Sequence, residues 1–154
     1  MTELAPELRQ LVERAVAVQP NAYAPYSGFS VGAALLAADG RVFSGVNVEN
    51  ASFPVTICAE RGALMTAVAA GAKEFTAIAV VTEAKKPAAP CGLCRQMLAE
   101  FGLDLKVLIV GRQGLDSVVT LDELLPQAFT RGSFEVRSVV MPARHDLQDN
   151  GEPA

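Results

Sequence analysis

The sequence predicts an α/β sandwich, with helices packed on a mixed sheet. Three observations carry this. Apolar segments of strand character alternate with helical ones along the chain. The pair Asp39-Gly40 separates two runs of β-branched and small residues, a hairpin signal that makes those two strands antiparallel. The 154 residues are 51% apolar and 19% charged, enough to bury a core between layers. With no tryptophan and only 6% aromatic residues, that core must be mostly Ala, Val and Leu.

Taken in order, Pro6 to Val18 reads as an amphipathic helix, because Leu8, Leu11, Val12, Ala15 and Val16 recur near helical spacing. Pro20, Pro25 and Gly28 mark a loop. Phe29 to Ala37 and Arg41 to Asn47 are the two hairpin strands. Cys58 to Ala70 is a helix that is apolar nearly all round after its first turn, and Gly71 ends it. Such a helix is buried on most sides, and one sheet face covers only one stripe of it. Its other sides need neighbours in this domain or in another subunit. Phe75 to Thr82 is a buried strand, Lys85-Lys86-Pro87 opens a loop, and Cys91 to Phe101 is a second helix. Lys106 to Val110 and Ser117 to Leu121 are strands flanking a turn at Arg112-Gln113-Gly114. Glu123 to Ala128 is a short helix, and Phe134 to Met141 is a sixth strand or an ordered arm. One domain is expected over residues 1–141, with a flexible polar tail over 142–154.

Composition narrows the class. A formal charge of −4 argues against nucleic acid as the partner, since such proteins carry a basic patch. No apolar run is long enough to span a membrane. No basic stretch followed by an apolar one opens the chain, so no secretory leader is expected. Three cysteines, an odd number, fit poorly with a disulfide framework. A cytoplasmic enzyme is the expectation.

The chemistry sits in those cysteines. Cys91 and Cys94 form a Cys-x-x-Cys pair after Pro90, and Cys58 lies upstream in Cys58-Ala59-Glu60-Arg61. Three ligands leave the fourth tetrahedral position open, the arrangement of a catalytic rather than a structural zinc. Both segments fall at helix starts, whose free N–H groups and partial positive charge favour thiolates. Three thiolates give the zinc site a net negative charge, which Arg61 is placed to offset. Glu60, two residues past Cys58, is placed to move protons at the open position. Taken alone, the Cys-x-x-Cys also fits a redox dithiol or half of a structural zinc site, and Glu60 alone fits a carboxylate stabilising a helix N-terminus. Cys58 argues against the dithiol. A structural site wants a fourth protein ligand, and the one histidine, His145, lies in the polar tail.

Six stretches carry a family resemblance: Ala22-Tyr-Ala-Pro-Tyr-Ser-Gly-Phe29, Val31-Gly-Ala-Ala-Leu-Leu36, Asn47-Val-Glu49-Asn-Ala-Ser52, Cys58-Ala-Glu60-Arg61, Pro90-Cys91-Gly-Leu-Cys94-Arg-Gln96 and Leu124-Leu-Pro-Gln-Ala-Phe129. On these the chain resembles the small, homotetrameric, zinc-dependent cytidine deaminases, from about Glu7 to Phe129. The resemblance implies a three-layer α-β-α sandwich with a mixed sheet of about five strands. It implies one Zn²⁺ per chain on Cys58, Cys91 and Cys94, with water activated at the metal attacking C4 of cytosine. Glu60 would take the water proton, protonate N3 and help ammonia leave. Asn47 and Glu49 are similar to a pair that grips ribose hydroxyls, which suits a nucleoside better than a nucleotide. Phe29 matches a pocket aromatic, the backbone of Ala59 a position that reads the base, and Phe129 an aromatic that reaches a neighbouring subunit's site. The implied function is hydrolysis of cytidine and deoxycytidine to uridine and deoxyuridine in pyrimidine salvage. The alternatives are deamination of a modified, antibiotic-type cytosine nucleoside, or a structural-zinc module that binds a partner. Gly62, Phe53 and Leu93 depart from the family's usual threonine, tyrosine and alanine. None removes a reacting group, and Leu93 is expected to reshape the mouth of the site.

Overall fold

Alternation along the central strands decides the layers. The computed structural model describes residues 4–134. Its elements are α1 (Pro6–Val18), β1 (Val31–Ala37), β2 (Val42–Val46), α2 (Ala59–Ala69), β3 (Phe75–Thr82), α3 (Gly92–Ala99), β4 (Lys106–Gly111), β5 (Gly114–Thr120) and α4 (Leu121–Leu124). Single 3₁₀ turns lie at Gln19–Asn21, Phe53–Val55 and Arg131–Phe134. The sheet runs β2-β1-β3-β4-β5, with β3 and β4 parallel and every other neighbouring pair antiparallel. This is the mixed five-stranded sheet expected.

Odd and even strand positions serve different helices. Ala34, Ala77, Ala79, Val81, Leu108 and Val110 pack with Leu11 and Ala15 of α1 on one face. Ala33, Leu35, Ile78, Val80, Val107 and Ile109 pack with Ala63, Leu64 and Ala67 of α2 and Leu98 of α3 on the other. The result is three layers, with two helices on the face that also carries the cysteines. Small residues set the spacing. An ideal Cβ on Gly45 of β2 would lie 2.2 Å from Ala63 N and 2.3 Å from Ala59 O, so the backbone of α2 rests directly on β2. Gly45→Ala therefore forces α2 away from the sheet. A loss of about 2–3 kcal/mol is expected in urea unfolding. An unchanged midpoint would show that α2 gives way at no cost.

Two elements differ from the sequence reading for reasons the structure shows. The fifth strand starts at Gly114 rather than Ser117, because Gly111 already pairs with Gly114 across the tight turn and Gly114 takes a φ of +105°. The short helix is Leu121–Leu124 rather than Glu123 to Ala128. Thr120 starts it early through a capping box, its N–H donating to Glu123 Oε2 at 2.6 Å. Pro126 stops it by driving Leu125 out of the helical region, to φ −142°, ψ 68°. The sixth strand or arm expected from Phe134 to Met141 lies, beyond Phe134 itself, outside the described residues. So does the tail expected over 142–154. Among the described residues, no helix is long and apolar enough to cross a membrane.

Candidate active site and metal centre

Two helices begin where β3 ends, and each begins on a cysteine. Cys58 is the N-cap of α2 and Cys91 the N-cap of α3, both with extended backbone. The sequence reading placed each one residue inside its helix. The N-cap is the better place for a metal ligand, because the thiol leaves the chain just ahead of the free N–H groups of the first turn. Cys94 stands one turn into α3 and is buried.

The three sulfurs lie within 4.8 Å of one another, with Cys58 Sγ 3.9 Å from Cys91 Sγ and Cys91 Sγ 3.5 Å from Cys94 Sγ. Tetrahedral ligands about 2.3 Å from zinc sit ~3.8 Å apart, so the spacing suits one ion. The charges agree. Cys58 is pulled down to about 5, first by its hydrogen bond with the Cys94 thiol and then by Arg61 and Cys91. Cys94 is pushed upward by the same Cys58 contact, then by burial and the Glu60 charge. One thiolate forms readily and a second beside it is opposed, which is a donor set that calls for a cation. The residues present fit zinc.

Arg61, on the first turn of α2, donates from Nη2 to Thr56 O at 2.6 Å, and the same nitrogen lies 4.0 Å from Cys58 Sγ. Its Nε is buried without a hydrogen-bond partner among the described residues. The guanidinium is thus held beside the first ligand by a backbone carbonyl. Glu60 is 5% exposed and faces the same cavity as Cys58. Burial, and then the Cys58 charge, raise its carboxyl above the ordinary range.

The cavity measures about 320 Å³ and brings Phe29, Asn47, Glu49, Cys58, Ala59, Glu60 and Cys91 into one wall. The second strand and the loop after it supply its outer end. Glu49 accepts from Tyr26 N–H at 2.9 Å, from Ser27 N–H at 3.2 Å and from the Ser27 hydroxyl. The serine contact is the largest cause of its lowered pKa. Asn47 is buried, donating from Nδ2 to Phe29 O and accepting at Oδ1 from Val31 N–H, both at 2.8 Å. It therefore braces the backbone that carries Phe29. One Nδ2 hydrogen and one Oδ1 lone pair remain for a ligand.

Phe129 does not join this cavity. It is 57% exposed, and its backbone is gripped by Gln96, which donates from Nε2 to Phe129 O at 2.7 Å and accepts at Oε1 from Phe129 N–H at 3.2 Å. Leu93 is 61% exposed and also outside the lining, so the expectation that it reshapes the mouth fails for the single chain. Phe53 is exposed too, edge-on to Tyr26 with ring centroids 5.9 Å apart. Gly62 has ordinary space for a Cβ, so nothing in the packing of this chain demands glycine there.

Four residues escaped the sequence reading. Ser27 orients Glu49. Arg95 ties the α3 start to α4, donating from Nε to Pro90 O at 2.6 Å and from Nη1 to Leu124 O at 2.8 Å. Gln96 holds Phe129, and Thr82 lines the same cavity as Glu60. Arg95 and Gln96 follow Cys94 directly, a polar pair on an otherwise apolar helix. Thr82 ends an apolar strand. Those were the available signals.

A buried carboxylate beside a three-thiolate metal site at paired helix starts, over a mixed sheet, defines a hydrolytic zinc enzyme of the deaminase class. Residues 6–110 match the cytidine and deoxycytidylate deaminase zinc-binding region. The chain is 49% identical over 123 residues to the cytidine deaminase of Halalkalibacterium halodurans, covering 79% of this chain and 93% of that one. The crystal structure of cytidine deaminase from Burkholderia pseudomallei is similar at 52% identity and a TM-score of 0.76, over 79% of this chain and 98% of that one. Cytidine deaminase from Mycobacterium tuberculosis is similar at 37% identity and a TM-score of 0.70, over 81% and 98%. The chain belongs to the cytidine deaminase family.

Proposed function

We propose that the chain hydrolyses cytidine and deoxycytidine to the uridine forms, releasing ammonia, as a cytoplasmic enzyme of pyrimidine salvage. The observation that carries this is the shared cavity. It holds the buried Glu60 together with the thiols of Cys58 and Cys91, with Cys94 buried next to Cys91, and also Asn47 and Glu49. Zinc, when bound by Cys58, Cys91 and Cys94, supplies the Lewis acid that makes water nucleophilic at neutral pH. The chain's own groups do the rest. Glu60 takes a proton from the attacking water and delivers it to N3 of the base. It then carries a second proton to the departing amino group. Burial, which raises its pKa, favours its protonated form and so its role as the acid that returns the proton. The Ala59 backbone and Phe29 bound the base. Glu49, kept ionised by Tyr26 and Ser27, accepts from ribose hydroxyls, and its charge disfavours a phosphate there. The test is loss of the cytidine ultraviolet band on incubation, with free cytosine and dCMP as controls. Rapid loss with cytidine and none with the controls is expected. Turnover of dCMP but not cytidine would overturn the nucleoside assignment.

Arg61 is the residue proposed to offset thiolate charge. Arg61→Gln is expected to keep the fold and lower zinc affinity or turnover about 10–100-fold. Unchanged zinc retention with an unchanged pH–rate profile would show that the helix N-termini suffice.

The assembly we infer is a homotetramer with 222 symmetry. One face of α2 supports it: Met65 and Val68 are 46% and 41% exposed, beside exposed Ala69 and Ala70, leaving an apolar stripe in water. In that assembly Phe129 reaches the base in a neighbour's site. Phe129→Ala is expected to raise KM more than it lowers stability. A fully active species of one chain mass by light scattering would refute the shared site.

A further inference from the structure

Thr82 is the last residue of β3 and is 3% exposed, yet its hydroxyl has no hydrogen-bond partner among the described residues. A buried hydroxyl left unpaired costs free energy that a methyl group in its place does not. Residues Ala77 to Val81 before it are all apolar. A valine would continue the strand, so folding alone gives no reason for the oxygen.

The cavity gives one. Thr82 lines it together with Cys58, Glu60 and Val80, and with the methyl side chains of Ala88 and Ala89 from the loop ahead of Cys91. The other neutral polar side chains of that lining are already engaged. The Ser27 hydroxyl donates to Glu49 and accepts from Phe29 N–H, Thr56 Oγ1 accepts from Asn50 N–H at 3.3 Å, and Asn47 uses both ends of its carboxamide. Thr82 alone among them keeps its whole bonding capacity for what enters. Depth says which part of a ligand it meets. Glu49 lies at the open end with exposed Tyr26 and Ser27, whereas Thr82 and Glu60 are both nearly out of solvent. The reacting base must reach Glu60, so the base is the part that passes Thr82. Thr82 is also in register with Val31, whose N–H is held by Asn47, so its backbone is anchored on the β1 side.

We propose that Thr82 is a specificity-determining residue whose Oγ hydrogen-bonds the base of the bound pyrimidine nucleoside, directly or through one trapped water. A hydroxyl both donates and accepts, so the contact survives exchange of an amino group for a carbonyl oxygen during the reaction. The assignment rests on the nucleoside reading above.

The test compares Thr82→Val and Thr82→Ser in the full-length, zinc-loaded protein, using cytidine turnover and calorimetric binding of uridine. Thr82→Val is expected to raise the cytidine KM and the uridine Kd about five- to tenfold, and Thr82→Ser to stay within about twofold of wild type. The melting temperature of unliganded Thr82→Val should equal or exceed wild type, because an unpaired buried hydroxyl is removed. Unchanged KM and Kd in Thr82→Val would overturn the proposal. So would a variant that melts earlier or fails to fold, since the hydroxyl would then be structural. A wild-type protein that neither binds uridine nor consumes cytidine would fail the functional reading first, and the Thr82 contact with it. Wild-type activity with an indifferent Thr82→Val would fail the contact alone.

Discussion

Cys58→Ala is expected to abolish both zinc retention and deamination while leaving the sheet intact. Cys91 and Cys94, with sulfurs 3.5 Å apart, remain as a two-point site on one helix turn. The lost ligand is the thiol pulled down to about 5 and the one beside Arg61. Two thiolates on α3 no longer tie that helix to α2, so the loss extends beyond one bond. Metal binding that links two helix starts also contributes to folding free energy, so the variant should melt earlier than the zinc-loaded wild type. The check is zinc content after dialysis against a mild chelator, read beside far-ultraviolet dichroism and cytidine turnover. Wild-type zinc content with normal turnover would remove Cys58 from the ligand set.

Glu60→Gln separates the metal from the proton carrier. The amide matches the carboxyl in shape, so the cavity and the three sulfurs should be undisturbed and zinc content unchanged. Turnover should fall by about two orders of magnitude or more, the usual worth of a positioned general acid–base group. The melting temperature should hold or rise, because burial and the Cys58 charge oppose ionisation of the carboxyl in the fold. Loss of activity with loss of zinc would mean that Glu60 supports the metal site instead. Activity within a few-fold of wild type would return Glu60 to the role of a helix-start carboxylate.

The metal site was legible in the sequence for a local reason. Cys91 and Cys94 are three apart on one turn, and Cys58-Ala59-Glu60 is a second short run. Only the meeting of the two runs needed the fold. The strands were legible by alternation, and the hairpin by Asp39-Gly40. The boundaries were less so. Thr120 with Glu123, and Pro126, decided the extent of α4 through capping and backbone restriction that helix periodicity does not register. Asn47 and Glu49 stood out by motif. That Asn47 braces Phe29 and Val31, or that Ser27 and Tyr26 hold Glu49 ionised, depends on contacts across 16 to 23 residues of chain.

By itself, then, the sequence determined the α/β class, the three thiol ligands, the adjacent carboxylate and the family they belong to. These are properties of residue type at short spacing. The tertiary structure alone decided that Cys58 and Cys91 are N-caps, that Glu60 is desolvated, that Leu93 and Phe129 stand outside their own chain's cavity, and that Thr82 carries an unpaired hydroxyl inside it. Burial and hydrogen-bond satisfaction are sums over neighbours brought together by the sheet. A side chain's reactivity depends on those neighbours, and no short window of sequence contains them.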